Sequence, residues 1–304
     1  MNYTLHQLQV FLKVAKTRSI TRAAEEMHLT QPAVSIQLKN LQNQFEIPLT
    51  EVIGRQLYIT DFGQEIAEMA ERILNEVYAI NYKTLAHKGQ LTGRLRISSV
   101  STGKYIIPYF LSPFMHLNPG IELALDVTNR STVVEDLRNN KVDFAVMSIL
   151  PDQPELEVIP LLPNHLHLIG SKEAIAKRTN FELTEIPLVF REHGSGTRYL
   201  MEKYFLERNV IFRKNIELKS NEAVKQAVLS GLGFSILPII GLKNELSLEE
   251  LQVIPMKGFP LISSWQLVWL KKKKHSPAAE AFKKFVLKSK EEIVSTKFAW
   301  STKY

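Results

Sequence analysis

An α+β chain is what this sequence predicts: a small helical N-terminal part with a β-ribbon, one long helix, and a two-lobed α/β remainder. Three observations carry that expectation. Apolar residues recur at helical spacing through residues 5–45, a single amphipathic stretch then runs from Thr60 to about His87, and beyond residue 94 short apolar strands alternate with helical segments. The chain's 304 residues suffice for two or three domains, and 45% hydrophobic with 23% charged is the balance of an ordinary globular protein.

In the first helix Leu8, Phe11, Leu12 and Ala15 follow the i, i+3, i+4, i+7 rule. Ser19 is placed to cap a second, "ITRAAEEMHL", whose Ala23, Ala24 and Met27 permit close approach. Thr30 stands at the N-cap of a third, and Pro32 falls in its first turn, where a missing N–H costs nothing. Val34, Leu38, Leu41 and Phe45 then form one inward stripe. That stripe turns Pro32, Ser35, Ile36 and Lys39 outward and leaves Gln31 at the N-terminal rim. Such a helix suits a DNA major groove: Gln reads adenine, Ser reaches a base or phosphate, and a methyl group takes an apolar contact. A solvated face in an unrelated bundle would look the same from this segment alone. Next, "PLTEVIGRQLYITDFG" reads as a two-stranded ribbon turning at Gly54, with Arg55 at its tip against a phosphate. Helix, turn, helix and basic-tipped ribbon make a winged helix-turn-helix over residues 1–60.

The long helix, residues 61–88, carries Ile66, Met69, Ile73, Val77 and Ile80 near coiled-coil spacing. With nothing in its own domain to cover that seam, pairing with a second chain is expected. Gly89 and Gly93 mark a hinge. Residues 89–304 then alternate strand candidates ("RLRISSV", "IELALDV", "VDFAVMS", "LHLIGS", "PLVFRE", "FSILP") with helices such as "STVVEDLRNN" and "NEAVKQAVLSG". This predicts largely parallel sheets in two lobes, lobe I about 91–163 and 267–295, lobe II about 164–266.

Charge alone does not argue for DNA. Residues 271–304 hold ten Lys against three Glu, the whole net charge of +7, whereas residues 1–60 hold six Lys or Arg against four Glu. A basic tail of this kind is most often a solvated face. The absence of cysteine excludes disulfides, thiolate metal sites and Cys nucleophiles, and fits a reducing cytoplasm. No secretory signal and no membrane-length apolar run is legible, so a cytoplasmic protein without a membrane partner is expected. Enzymatic motifs are missing: "HGSGT" lacks the outer glycines of a G-x-S-x-G elbow, no H-E-x-x-H occurs, and there is no Walker loop or dinucleotide fingerprint. His165 and His167 read as structural strand residues. No catalytic residue, metal or cofactor is expected. A rival reading keeps an α/β ligand-binding or enzymatic protein whose N-terminal helices serve only oligomerisation.

Taken together, "SITRAAEEMHLTQPAVSIQLKNL", "PLTEVIGRQLYITDFG", the long helix, "NPGIELALDV", "VDFAVM", "HGSGTR" and "SGLGFSILP" resemble the LysR-type transcriptional regulators across nearly the whole chain. Within that family, "SVSTGKYIIP" and "VTNRSTVVEDLRNNKVDFAVM" look like the regulators of Calvin-cycle (Rubisco) operons. The resemblance implies a dimerising linker helix and an effector domain of periplasmic-binding-protein type. It also implies a dimer of dimers on an interrupted palindrome of double-stranded DNA; effector binding is then expected to close the lobes and alter the angle between dimers. The chain departs from the family pattern at Glu46 (commonly Gly), Thr50 (Phe), Val52 (Arg) and Ile36 (often Arg); the last two remove positive charge from the DNA face.

Ligands of such domains sit between the lobes, where helix N-termini offer free N–H groups and a positive dipole. Ser101 and Thr102 end the first strand, Asn129 and Arg130 follow the second, Ser148 ends the third, and Ser195 and Thr197 lie in the second lobe's strand-to-helix turn. These seven are the effector-binding candidates for a small, anionic metabolite, although each Ser or Thr is equally placed to cap its own helix. Only the resemblance brings them to one cleft.

Overall fold

The computed structural model describes residues 2–54, 56–86, 91–210 and 214–304, arranged as two compact units, 1–89 and 90–304. Arg55, His87 and Gly89 lie outside the described residues.

In the first unit α1 (Leu5–Thr17), α2 (Ile20–Glu26) and α3 (Gln31–Gln42) pack on one another. Each is started by a side-chain cap: Thr4 accepts from the Gln7 N–H within a capping box, Ser19 from Arg22, and Thr30 from Ala33. Helix α2 is shorter than its apolar pattern, since His28 turns the chain through the left-handed region at φ 55°. The core joins Phe11, Val14, Ala23, Ala24, Val34, Leu38 and Leu41, and Phe45 packs on its margin beside Phe62. The ribbon, β1 (Thr50–Ile53) and β2 (Gln56–Ile59), is antiparallel and turns at Gly54 with φ +66°. Gln42 at the end of α3 holds the approach to it, accepting from the Leu49 N–H at 2.6 Å.

The long helix is α4 (Asp61–Ala86). Residues of the expected seam lie mostly on an open face, and a neighbouring stripe is what packs within the unit. Ala67, Ala70 and Leu74 are buried in the unit's own core against α1, and Ile66 is partly covered. A second face stays open, with Met69 51% and Ile73 40% exposed. A helix whose apolar arc exceeds one stripe has two neighbours to satisfy.

The second unit begins with β3 (Thr92–Val100), α5 (Ile107–Leu117), β4 (Gly120–Thr128), α6 (Arg130–Arg138) and β5 (Phe144–Met147). Strands β4, β3 and β5 run parallel, in that order. Gly93 sits inside β3, so it is a strand residue rather than a hinge. The chain continues through β6 (Leu156–Ser171), α7 (Lys172–Ala176), β7 (Leu188–Arg191), α8 (Gly196–Glu207), β8 (Lys214–Leu218) and α9 (Asn221–Leu229). It ends with β9 (Ser235–Pro238), α10 (Lys243–Ser247), β10 (Leu251–Ile254), β11 (Leu261–Leu270) and α11 (Pro277–Lys297).

Largely parallel sheets were expected; the structure has a mixed arrangement. β11 pairs antiparallel with β5 and, over its whole length, with β6, while β9 and β10 are antiparallel to β6. A further parallel pair is formed by β7 and β8. The long β6–β11 ribbon is what joins the lobes: its outer half completes the lobe I sheet and its other half enters lobe II. Lobe I is filled by Phe110, Phe114, Phe144, Trp265 and Phe282. In lobe II successive residues alternate between two cores, Leu168 and Phe190 on one face of the sheet, Ile169 and Val189 on the other.

Candidate DNA face and effector cleft

On α3 the burial follows the stripe. Val34, Leu38 and Leu41 are buried, whereas Gln31, Pro32 and Lys39 are exposed, Ile36 is 57% exposed and Ser35 is half-buried. Thr30 is exposed too, but its hydroxyl accepts from the Ala33 N–H and so serves the helix start. These six residues share one uncovered side of the unit. Arg55, the seventh of the set, lies outside the described residues.

The carboxyl ends of β3, β4 and β5 in lobe I face the β7–α8 turn of lobe II. One cleft there is lined by all seven effector candidates, Ser101, Thr102, Asn129, Arg130, Ser148, Ser195 and Thr197. Several are already committed. Asn129 caps α6, its Oδ1 accepting from the Thr132 N–H at 3.0 Å, and Ser195 caps α8. Arg130 donates from Nε to the Ile149 carbonyl at 3.0 Å and from Nη2 to the Leu150 carbonyl at 2.9 Å. Its guanidinium also lies 5.6 Å from the ring centre of Tyr199 in lobe II. Ser101 accepts two bonds from lobe II, one from Asn221 Nδ2 at 3.0 Å and one from Arg191 Nη1 at 3.2 Å. The cleft encloses about 20 Å³, room for one water. Across this cleft the Ser101 hydroxyl ties lobe I to Asn221 and Arg191 of lobe II.

Two polar side chains of the lining escaped the sequence reading. Arg191 ends β7 with its side chain buried, and Glu192 grips it in a two-point fork at 2.8 and 2.9 Å. An arginine closing a strand directly before the "HGSGT" turn was the available signal. Asn164 is buried on β6, donates to Ser263 at 2.9 Å, and leaves its Oδ1 unpartnered among the described residues. Nothing in the sequence marked it, because that half of β6 carries Pro160 and Pro163 and does not read as strand.

Arg198 organises the turn that presents these groups. It is buried, pairs with Glu202 and Glu217 at 2.6 Å each, and donates to the Arg191 carbonyl at 3.1 Å. Burial pulls its pKa down, but hydrogen bonds to the two carboxylates outweigh that and raise it. Two guanidinium groups and the start of two helices thus border a small polar cleft, which favours a compact anion over an apolar ligand.

A winged helix-turn-helix joined to a two-lobed ligand-binding unit defines a ligand-responsive regulator. Comparison with known proteins gives its family. Residues 5–64 match the bacterial regulatory helix-turn-helix protein, lysR family, and residues 88–290 match the LysR substrate binding domain. The chain belongs to the LysR family of transcriptional regulators. It is 39% identical to a RuBisCO operon transcriptional regulator of Allochromatium vinosum over 294 residues, 94% of this chain and 96% of that one. It is 36% identical to the transcriptional activator CmpR of Synechocystis, covering 96% and 97% of the two chains. Among solved structures, the CcmR regulatory domain of Synechocystis PCC6803, in complex with 2-PG, is 33% identical with a TM-score of 0.62; the match covers 66% of this chain and 98% of that one.

Proposed function

We propose that this regulator inserts α3 into the major groove of an interrupted palindromic operator. Gln31, Pro32, Ser35, Ile36 and Lys39 face the bases and backbone, Thr30 stands at the rim and Arg55 meets a phosphate. The observation that carries this is the division of α3 into a buried stripe and an uncovered polar flank. The open face of α4, Met69 and Ile73, pairs two chains, and two such dimers span the operator. The protein works in the cytoplasm and catalyses no reaction.

The signal is a small anionic metabolite held between Ser101, Thr102, Asn129, Arg130 and Ser148 of lobe I and Arg191, Ser195 and Thr197 of lobe II. The 2-PG held by the CcmR regulatory domain supports an anion of that size. The ligand acts by stabilising the arrangement of the lobes that holds it, shifting an equilibrium through differential affinity.

Gel shifts on a duplex selected by the full-length protein from a random pool test the DNA half. Gln31→Ala and Ser35→Ala are expected to weaken binding and alter site preference; unchanged affinity and preference in both would remove α3 from the groove. Thermal shift with 2-PG tests the effector half, a rise in Tm being expected and lost in Arg130→Ala.

A further inference from the structure

The two lobes are joined by more than β6 and β11. Helix α11 belongs to lobe I: Phe282 meets Phe114 at 5.1 Å and Phe144 at 5.8 Å, and Val286 is buried in the same core. The chain leaves that helix at Phe298, itself buried with its ring edge-on to Tyr109 at 5.2 Å. Trp300 still packs on the lobe I core. From there the segment touches the other lobe twice. Lys243, which opens α10, sets its ammonium 5.8 Å from the centre of the Trp300 ring. His167 on β6 donates from Nε2 to the Tyr304 carbonyl oxygen at 3.2 Å. Both partners sit on lobe II elements: Leu242 and Leu246 beside Lys243 belong to its core, although Ile240 just before them packs into the lobe I core, and His167 pairs with Leu237 of β9.

We propose that residues 298–304 form a strap across the hinge, anchored in lobe I and fastened to lobe II, that holds the lobes shut and so sets how readily the regulator responds to its ligand. The hinge strands are continuous backbone and can bend without losing a bond, whereas the strap's two far contacts break when the lobes part. They therefore add selectively to the closed state, which is the condition for shifting a two-state equilibrium. A cation over an indole face and one half-buried hydrogen bond together shift such an equilibrium by roughly tenfold.

The native absence of cysteine makes the test clean. Glu135→Cys on α6 and Leu206→Cys on α8 place spin labels at exposed positions, one in each lobe. Pulsed-EPR distances are read in the full-length chain diluted with unlabelled protein. Lys243→Ala and His167→Ala leave the lobe I core untouched, and each is expected to raise the long-distance population severalfold. Removal of residues 299–304 should raise it further. Distance distributions that superimpose on the parent for both point variants overturn the strap. Opening seen with the truncation alone overturns it as well, since the effect then belongs to lobe I packing. Operator binding is scored separately by gel shift, so failure of the DNA reading and failure of the strap give different results.

Discussion

The Arg191 guanidinium reaches across the cleft to the Ser101 hydroxyl at 3.2 Å while Glu192 holds its other edge. A single side chain is thus both the buried positive group of the site and a tie between lobes. Hydrogen bonds to charged groups contribute about 1.5–3 kcal/mol, and a buried guanidinium facing an anion falls in that range. Arg191→Met is accordingly expected to weaken binding of the anionic effector by roughly ten- to hundredfold, read by calorimetric titration. Affinity equal to the parent's would place the anion elsewhere.

The outward flank of α3 separates stability from recognition. Leu38→Ala opens a cavity among Phe11, Val34 and Leu41 and should cost about 2–5 kcal/mol in thermal or urea unfolding. Ile36→Ala, on the exposed side, should leave stability unchanged. Its effect is expected at the DNA: an aliphatic side chain facing a thymine methyl would contribute about 0.8 kcal/mol, or roughly fourfold in affinity. Replacing thymine by deoxyuridine one position at a time should reveal a site penalised in the parent and indifferent in Ile36→Ala. If every substitution weakens both proteins equally, Ile36 reads no methyl.

Gly63 in the first turn of α4 lies under the ribbon, and a Cβ there would overlap the Leu49 carbonyl oxygen. That oxygen accepts from the Thr60 N–H at 3.2 Å, and the Thr60 hydroxyl in turn accepts from the Gly63 N–H at 2.9 Å. Gly63→Ala therefore forces ribbon and helix apart at a cost of about 1–3 kcal/mol. The expected signature is a lower Tm for the first unit and weaker operator binding, with effector binding intact.

His275 stacks on Phe144 at 4.7 Å, and neither ring nitrogen finds a partner among the described residues. Burial, reinforced by the Lys283 charge, holds its pKa below the ordinary 6.5. The unfolded chain then binds the proton more tightly, so this contribution is complete above about pH 6.5 and fades as acid approaches the lower folded value. His167 acts in the same direction, also through burial. Tm should fall between pH 7 and 5.5, and His275→Phe should flatten that slope; an unchanged slope would remove His275 from the cause.

Most of the first unit was legible because its determinants are local. Caps at Ser19 and Thr30, the Val34–Leu38–Leu41 stripe and the turn at Gly54 each depend on residues a few positions apart. The seven cleft candidates were nameable for the same reason, since each stands at a strand end or helix start. Their shared cleft came from resemblance, and the structure brings the same seven together. What stayed hidden were the first half of β6, where Pro160 and Pro163 break the strand pattern, and β11 that pairs with it, and Asn164 with them.

Local sequence was enough for the element order of the first unit, the inward and outward sides of α3, and the strand ends that carry the cleft residues, because periodicity, capping and turn chemistry act within a few residues. Tertiary structure alone decided that α4 shares its apolar surface between α1 and an open face, that Arg191 enters the cleft, and that the segment after α11 spans both lobes. Each of those depends on contacts between residues far apart in the chain. Such contacts follow from the antiparallel β6–β11 ribbon and the packing around it, which no local pattern encodes.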